Sequence, residues 1–467
     1  MKIALVHDYL KEYGGAERVL EVMHEMWPEA PLYTSFVDWK SMGEHAKRFR
    51  GWDIRTSWVQ RYWFIKRFIS PLRFLAPKIW ESFDLSEYDV VISSSGWFMC
   101  RGVALASKQR NKNSAEVDLE NLDSSSSLSV GAEVVRPNSG VLRSLASAQA
   151  PSAENSNLFD LPAPQNASSL ARVTRIKTPL HICYIHHPPR NLYGYATGSD
   201  LQKYWIVRVY AAIVNFFLRQ YDFDSAQAVD YFVANSKETA RRVEKFYRRD
   251  SVVIYPPATP SQARLAWRAG PPIEAVSRQS SDVSQKRDYF LSVGRLTYAK
   301  RVDLAIEACK KLGVSLKIVG TGKEEECLRE LASQGSSLQT SKIEFLGGVS
   351  DDELAQLYTG ARALIFSALD EDFGMVPVEA MAHGTPVIGL AQGGVKETVA
   401  DGVTGVLFQD PTQELLEKAM KRFMSIKKEW QILCQEHARK FSKERFKKEL
   451  RAYVNDVYKK RHIEANV

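Results

Sequence analysis

"ALIFSALDEDFGMVPVEAMAHGTPVIGL" (363–390) reads as strand, loop, helix and strand in one short span. "ALIFSA" (363–368) and "PVIGL" (386–390) are apolar runs of the length of fully buried strands. Between them "VPVEAMA" has helix-forming residues, and Gly384-Thr385-Pro386 stops it. Two buried strands joined by a helix form a parallel pair. Ligands in open parallel sheets sit beyond the carboxyl ends of the strands. Residues 369–375 are therefore a ligand-facing loop, and the free N–H groups at the following helix start favour an anion such as a phosphate.

Glu371 and Glu379 bracket this otherwise nearly neutral run. A carboxylate accepts two hydroxyls at once, which suits a sugar diol. The spacing can put one acid on a sugar and the other on a ribose, with a diphosphate between them. Spacing alone equally fits a solvated loop acid and a helix-surface acid. Upstream, "SVGRLTYAKRVDLAIEA" puts Arg295 at a strand end and Lys300 before a helix, two cations able to neutralise a diphosphate without a metal. A surface Arg and Lys in a basic chain is the plainer alternative.

The same rhythm runs outward in both directions. Strands are predicted at 2–7, 89–95, 181–187 and 231–236, then at 289–295, 316–320, 343–348, 363–368 and 386–390. Helical patterns lie between them, among them "AERVLEVMHEM" and "KETARRVEKFY" (237–247). This is an α/β chain with two doubly wound parallel sheets. Its 467 residues, net charge +8 and pI near 9.0 fit two or three ordinary globular domains. Five cysteines, an odd number with no C-x-x-C, read as reduced thiols in a cytoplasmic protein rather than disulfides or a zinc site. "MKIALVHDYL" reads as a buried strand, because His7 and Asp8 break the apolar run a signal peptide needs.

Three segments depart from the pattern. Residues 107–178 are Ser-rich with Phe159 as their one aromatic, a low-complexity, disordered insertion in the first domain. Residues 258–288, rich in Pro, Ser and Gln, form a linker. Residues 55–80 interleave Arg55, Arg61, Lys66, Arg67, Arg73 and Lys78 with seven aromatics and no acid. That composition suits a helix on an anionic membrane surface, and equally a core helix pair with a basic outer face. No nucleic-acid motif accompanies it. "YWIVRVYAAIVNFFL" (204–218) is too short to span a bilayer and carries Arg208, so it reads as a packed or interfacial helix.

"GRLTYAK", "VGTGKEEECL", "FLGGVSDDELAQLY" and "EDFGMVPVEAMAHGTPVIGLAQGGVKETVADGVTGVLF", in this order, resemble the family 4 retaining glycosyltransferases. "HDYLKEYGGAERV", "HICYIHHPPR", "YFVANSKETARRV" and "VVIYPP" fit the same family. The resemblance implies a GT-B fold: an acceptor-side Rossmann-like domain over 1–257, a donor-nucleotide domain over 289–440, and a C-terminal helix (441–467) packing back on the first. It implies that Arg295 and Lys300 hold the donor diphosphate and Glu379 the ribose. Glu371 and the backbone of Phe373 and Gly374 would hold donor-sugar hydroxyls, with Met375, Val376 and Gly15 completing the donor contacts. Gly14 and Gly15 form the acceptor-side loop, and His186 contacts the transferred sugar, although a strand-end His is also often just a satisfied polar group. The donor would be a nucleoside-diphosphate sugar, GDP-mannose or a UDP-hexose, and the acceptor a glycan or lipid-linked molecule. The expected setting is the cytoplasm, at the inner face of the plasma membrane, with no cofactor and no nucleic acid.

"DFD" (222–224) and "DED" (370–372) both spell an Asp-x-Asp that could hold a divalent cation. The first reads as structural, and the second overlaps the Glu-x7-Glu motif, whose cations make a metal unnecessary. A sugar-nucleotide epimerase, a phosphorylase of the same fold and a non-catalytic sugar-nucleotide sensor remain alternatives.

Overall fold

Seven strands form the first sheet: β1 (Ile3–His7), β2 (Leu32–Thr34), β3 (Ile54–Thr56), β4 (Val90–Ser95), β5 (Leu180–Ile185), β6 (Tyr231–Ala234) and β7 (Ser251–Val253). Six form the second: β8 (Tyr289–Val293), β9 (Ser315–Val319), β10 (Ile343–Gly347), β11 (Ala361–Phe366), β12 (Val387–Leu390) and β13 (Gly405–Phe408). The computed structural model describes residues 1–105, 178–195, 205–257, 287–334 and 342–464. All pairings are parallel, in the orders β3-β2-β1-β4-β5-β6-β7 and β10-β9-β8-β11-β12-β13. The helices that matter below are α1 (Gly15–Met26), α2 (Trp205–Gln227), α3 (Lys237–Tyr247), α4 (Val302–Leu312), α5 (Met375–Ala382) and α6 (Lys443–Glu464).

Every residue of β1, β4 and β5 is buried, as expected of central parallel strands covered on both faces. Alternation sends Leu5, Ile92 and Ile182 to one face, against Leu20 and Met23 of α1. Val6 and Val91 point to the other, against Ile79, Trp80 and Phe98. Phe446, Leu450, Val454 and Val457, one stripe of α6, join the first of these cores. Lys447 donates to Glu25 at 2.7 Å, and Lys443 pairs with the same carboxylate, fixing α6 to the end of α1. In the second sheet Phe290, Ile318, Ile365 and Ile388 pack on α4, while Leu364 and Val387 pack with Val378 and Met381 of α5.

All nine predicted strands are present, and α3 covers the predicted 237–247. β2, β3, β7 and β13 were not anticipated; they are three or four residues long, too short for a period to show. Neither a single surface helix nor a helix pair forms over 55–80. β3 is followed by short turns at Trp58–Arg61, Trp63–Arg67, Arg73–Leu75 and Ala76–Trp80, with Pro71 interrupting the path. Arg55 turns back to Asp53 at 2.9 Å, and Trp80 is a core residue whose Nε1 donates to the Phe98 carbonyl at 2.7 Å.

All but the last residue of the insertion at 107–178 and nearly all of the linker at 258–288 lie outside the described residues. The five cysteines are free, with Cys327 exposed and the others buried. Among the described residues no helix is long and apolar enough to cross a membrane.

Candidate active site

In the second sheet the strand order reverses between β8 and β11, and the crevice at such a reversal is where open α/β sheets bind ligands. The loop after β8 carries Arg295 and Lys300; the loop after β11 carries Glu371. Leu369 N–H donates to the Ala299 carbonyl at 2.8 Å, and Ser367 Oγ donates to the Arg301 carbonyl at 2.7 Å, so the two loops are tied. Lys300 Nζ then reaches Glu371 Oε2 at 2.7 Å. Burial alone would raise the Glu371 carboxyl, but Lys300 and Arg190 together hold it below its ordinary value. Gly394 N–H donates to the Glu371 carbonyl at 2.8 Å, and a Cβ on Gly394 would stand 2.4 Å from the Asp372 carbonyl oxygen. The glycine pair of "AQGGVKE" is thus what allows a second loop to press on the acidic one. Sequence reading quoted that pair without giving it a role.

Gly374 precedes α5 with φ of 91°, a conformation that strains any other residue, and no side chain caps the helix. Pro377 lacks an N–H, so the Met375 and Val376 amides are the first-turn donors left for a ligand. The Phe373 ring is buried beside Tyr255 and Phe441, which leaves only its backbone for the cleft. Glu379 is also buried. Tyr358 donates to its Oε2 at 3.3 Å, and Arg18 of α1 pairs with Oε1. Arg295 is 73% exposed and reaches Glu12, in the loop after β1, at 3.0 Å. The predicted residues therefore stand at one edge, but as two kinds of contact. Lys300 and Glu371 meet each other, whereas Arg295 and Glu379 meet the first sheet.

That first sheet reverses between β1 and β4. Asp8 accepts from the backbone N–H groups of Gly96, Phe98 and Cys100, each at 3.0 Å, and closes the crevice. Gly14 caps α1 and donates to Glu17 at 2.8 Å; a Cβ on Gly15 would come 3.2 Å from Met375 Cγ, so this turn faces the start of α5. His186 is buried with Nε2 at 2.8 Å from Ser94 Oγ. Burial, with His7 and His187 nearby, holds its imidazole well below the usual range and so neutral. His187 is the ring whose field reaches Asp372 and Glu371.

Sequence reading missed the contacts that join the two edges. Asp372 pairs with Arg190 (Nε at 3.1 Å) and with Arg242 of α3, and Ser236 Oγ donates to its carbonyl at 2.6 Å. Glu397 caps α3, accepting from the Lys237 and Glu238 N–H groups at 2.8 Å each. Arg190 stood inside the quoted "HHPPR" and Asp372 inside "DED", but nothing local marked them as partners. In "DFD", Asp222 is fully buried against Arg101 and accepts from Tyr193 Oη at 2.7 Å, while Asp224 accepts from Gln220 at 2.8 Å. Among the described residues no cluster of three His, Cys, Asp or Glu side chains could hold a metal.

Residues 274–447 match the family described as glycosyl transferases group 1. This stretch, less than half of the chain, is similar to a group 1 glycosyltransferase domain. It contains Arg295, Lys300, Glu371 and Glu379. An uncharacterised glycosyltransferase of Methanocaldococcus jannaschii is 33% identical over 152 residues, 32% of this chain and 38% of that protein. The D-inositol 3-phosphate glycosyltransferase of Geodermatophilus obscurus is 28% identical over 230 residues, 46% of this chain and 50% of that protein. The chain thus matches half or less of the length of these curated relatives. HepE of Anabaena, solved with UDP, superposes over 98% of this chain and all of its own with a TM-score of 0.56 at 14% identity. The architecture is GT-B: two Rossmann-like domains beside the group 1 crevice.

Proposed function

We propose that the chain is a metal-independent retaining glycosyltransferase that moves a hexose from a nucleoside-diphosphate sugar to a glycan or lipid-linked acceptor. The observation that carries this reading is the Lys300–Glu371 pair at the reversal of the second sheet, with Arg295 on the same loop and the uncapped start of α5 beside it. Cations and amide donors at that edge complement a diphosphate. In the reaction the bond from the anomeric carbon to the β-phosphate oxygen breaks. The acceptor oxygen bonds to that carbon on the same face, and the leaving phosphate takes the acceptor's proton. Arg295, Lys300 and the Met375 and Val376 amides stabilise the charge that grows on the phosphate. Glu371 holds the sugar hydroxyls, with neutral His186 on the opposite wall. Glu379 takes the ribose diol once Arg18 releases a carboxylate oxygen, so donor binding and movement of the two domains are one event.

The matches named glycosyltransferase support the activity, and the structures of HepE with UDP and with UDP-glucose support a uridine nucleotide beside the GDP-mannose named first. The free thiols fit a reducing compartment such as the cytoplasm. A thermal-shift screen of sugar nucleotides identifies the donor, because a ligand that binds the native state raises the melting point. With that donor and an acceptor, the expected result is release of nucleoside diphosphate, unchanged in EDTA, and a product with the donor's anomeric configuration. Turnover that requires Mn²⁺, or an inverted product, overturns the reading.

A further inference from the structure

α2 is apolar on two faces. Its inner face, with Leu218, Ser225 and Ala226, is buried. The outer face carries Trp205, Val209, Ile213 and Phe216, at steps of four, four and three that place them in one stripe, and these are 66, 51, 58 and 65% exposed. Phe217 beside them is 66% exposed. The 58–78 segment lies alongside. Arg73 donates to Asn215 of α2 at 2.7 Å, and Tyr210 of α2 bonds to the Pro71 carbonyl. That segment buries Ile65 and Ile69 in the core that Leu218 of α2 also joins, and leaves Trp63, Phe64, Phe68 and Phe74 70, 45, 50 and 48% exposed. Two elements distant in sequence thus present one apolar, aromatic surface.

Its charge has one sign. Neither 55–80 nor 205–221 contains an Asp or Glu. Arg61, Arg67 and Arg208 are exposed on it and form no ion pair with a described residue. A protein partner with an apolar face would be served by the aromatics alone. A flat surface of apolar chains beneath anionic headgroups is served by both sets of residues at once, with the rings at the headgroup level and the guanidinium groups on phosphate.

We infer that the outer face of α2, together with residues 58–78, docks the protein on an anionic lipid bilayer. This goes beyond the transfer reaction and does not rest on it, since vesicle binding is read without donor or acceptor.

The test is cosedimentation of the full chain with vesicles of phosphatidylcholine alone and of phosphatidylcholine with phosphatidylglycerol. Binding to the anionic vesicles that weakens as salt rises, and much weaker binding to the neutral ones, is expected. Trp63→Ser with Phe216→Ser should lower partitioning by at least about tenfold. Arg61→Gln, Arg67→Gln and Arg208→Gln should each lower it about fivefold. All five positions are exposed, so melting temperatures should stay at the wild-type value. Equal binding to both vesicles, binding to neither, or wild-type binding by these variants overturns the inference. So does a concentration-dependent dimer that Trp63→Ser dissolves in the absence of vesicle binding, which would assign the face to a second copy of the chain.

Discussion

The two sheets reverse their strand order at equivalent places, and an acid stands at each reversal. In the first sheet Asp8 spends its carboxylate on three backbone N–H groups of the neighbouring loop. In the second, Glu371 meets the side chain of Lys300, which a ligand can take over without exposing any backbone group. The groups that hold the Asp8 carboxylate are neutral backbone donors, those of Gly96, Phe98 and Cys100. Those beside Glu371 are charged: Lys300, Arg190 and Asp372. One crevice is held by fixed backbone hydrogen bonds, and the other is a set of exchangeable charges. A topological rule locates both, and only the partners of the acid tell them apart.

Asp8→Ala puts the structural half of that contrast at most risk. It leaves three buried donors without an acceptor, at about 1 kcal/mol or more each, so chemical denaturation should show a loss of about 3 kcal/mol or more. A loss below about 1 kcal/mol would mean that this crevice is as exchangeable as the other. Arg295→Ala should do the reverse. Its guanidinium is exposed, so stability should hold, while turnover falls about a hundredfold, the usual scale for losing a donor aimed at growing charge. Near wild-type turnover would remove Arg295 from the charged set. Glu379→Ala should mainly weaken donor binding, by about 1.5–3 kcal/mol for a charged hydrogen bond, because a ribose contact exists before and during reaction alike. Calorimetric titration of the donor checks this, and a change confined to turnover would contradict it.

The last contrast concerns pH. Burial holds His181 down to about 4 and lowers His186 in the same direction. Below the ordinary histidine value of about 6.5 the unfolded chain takes up protons that these folded rings refuse. Stability is therefore complete above about pH 6.5 and falls as acid is added toward pH 4, by about 1.4 kcal/mol per pH unit for His181, with His186 acting in the same direction. Urea midpoints at about pH 7 and about pH 5 should differ accordingly, and His181→Asn, able to keep a hydrogen bond to Ser93, should flatten the slope. A midpoint that does not move would show that these buried rings take up protons in the folded chain as readily as in the unfolded one.

What was legible in the sequence was whatever burial writes into consecutive residues. β1, β4, β5, β8, β11 and β12 are apolar runs because both faces are covered, and the reversal loops follow them directly. Lys300 and Glu371 were found because each stands beside such a strand end. The Arg18–Glu379 and Arg242–Asp372 pairs were not, since each joins elements far apart in sequence and nothing within either segment marks the partner. Residues 55–80 misled for a related reason. Composition counts aromatics without saying which way they point, and Trp80 points inward while Trp63 points out.

α6 carries a consequence for how the protein comes into being. The stripe from Phe446 to Val457 completes the core around Leu5 and Ile182, strands made near the beginning of synthesis. Domains generally form in order as the chain leaves the ribosome. Here the α1 side of the first sheet stays incompletely covered until the entire second domain has been translated. The growing polypeptide must carry that gap beside α1 past the synthesis of its own donor site, and a message truncated before Phe446 would yield an N-terminal half whose core is not closed.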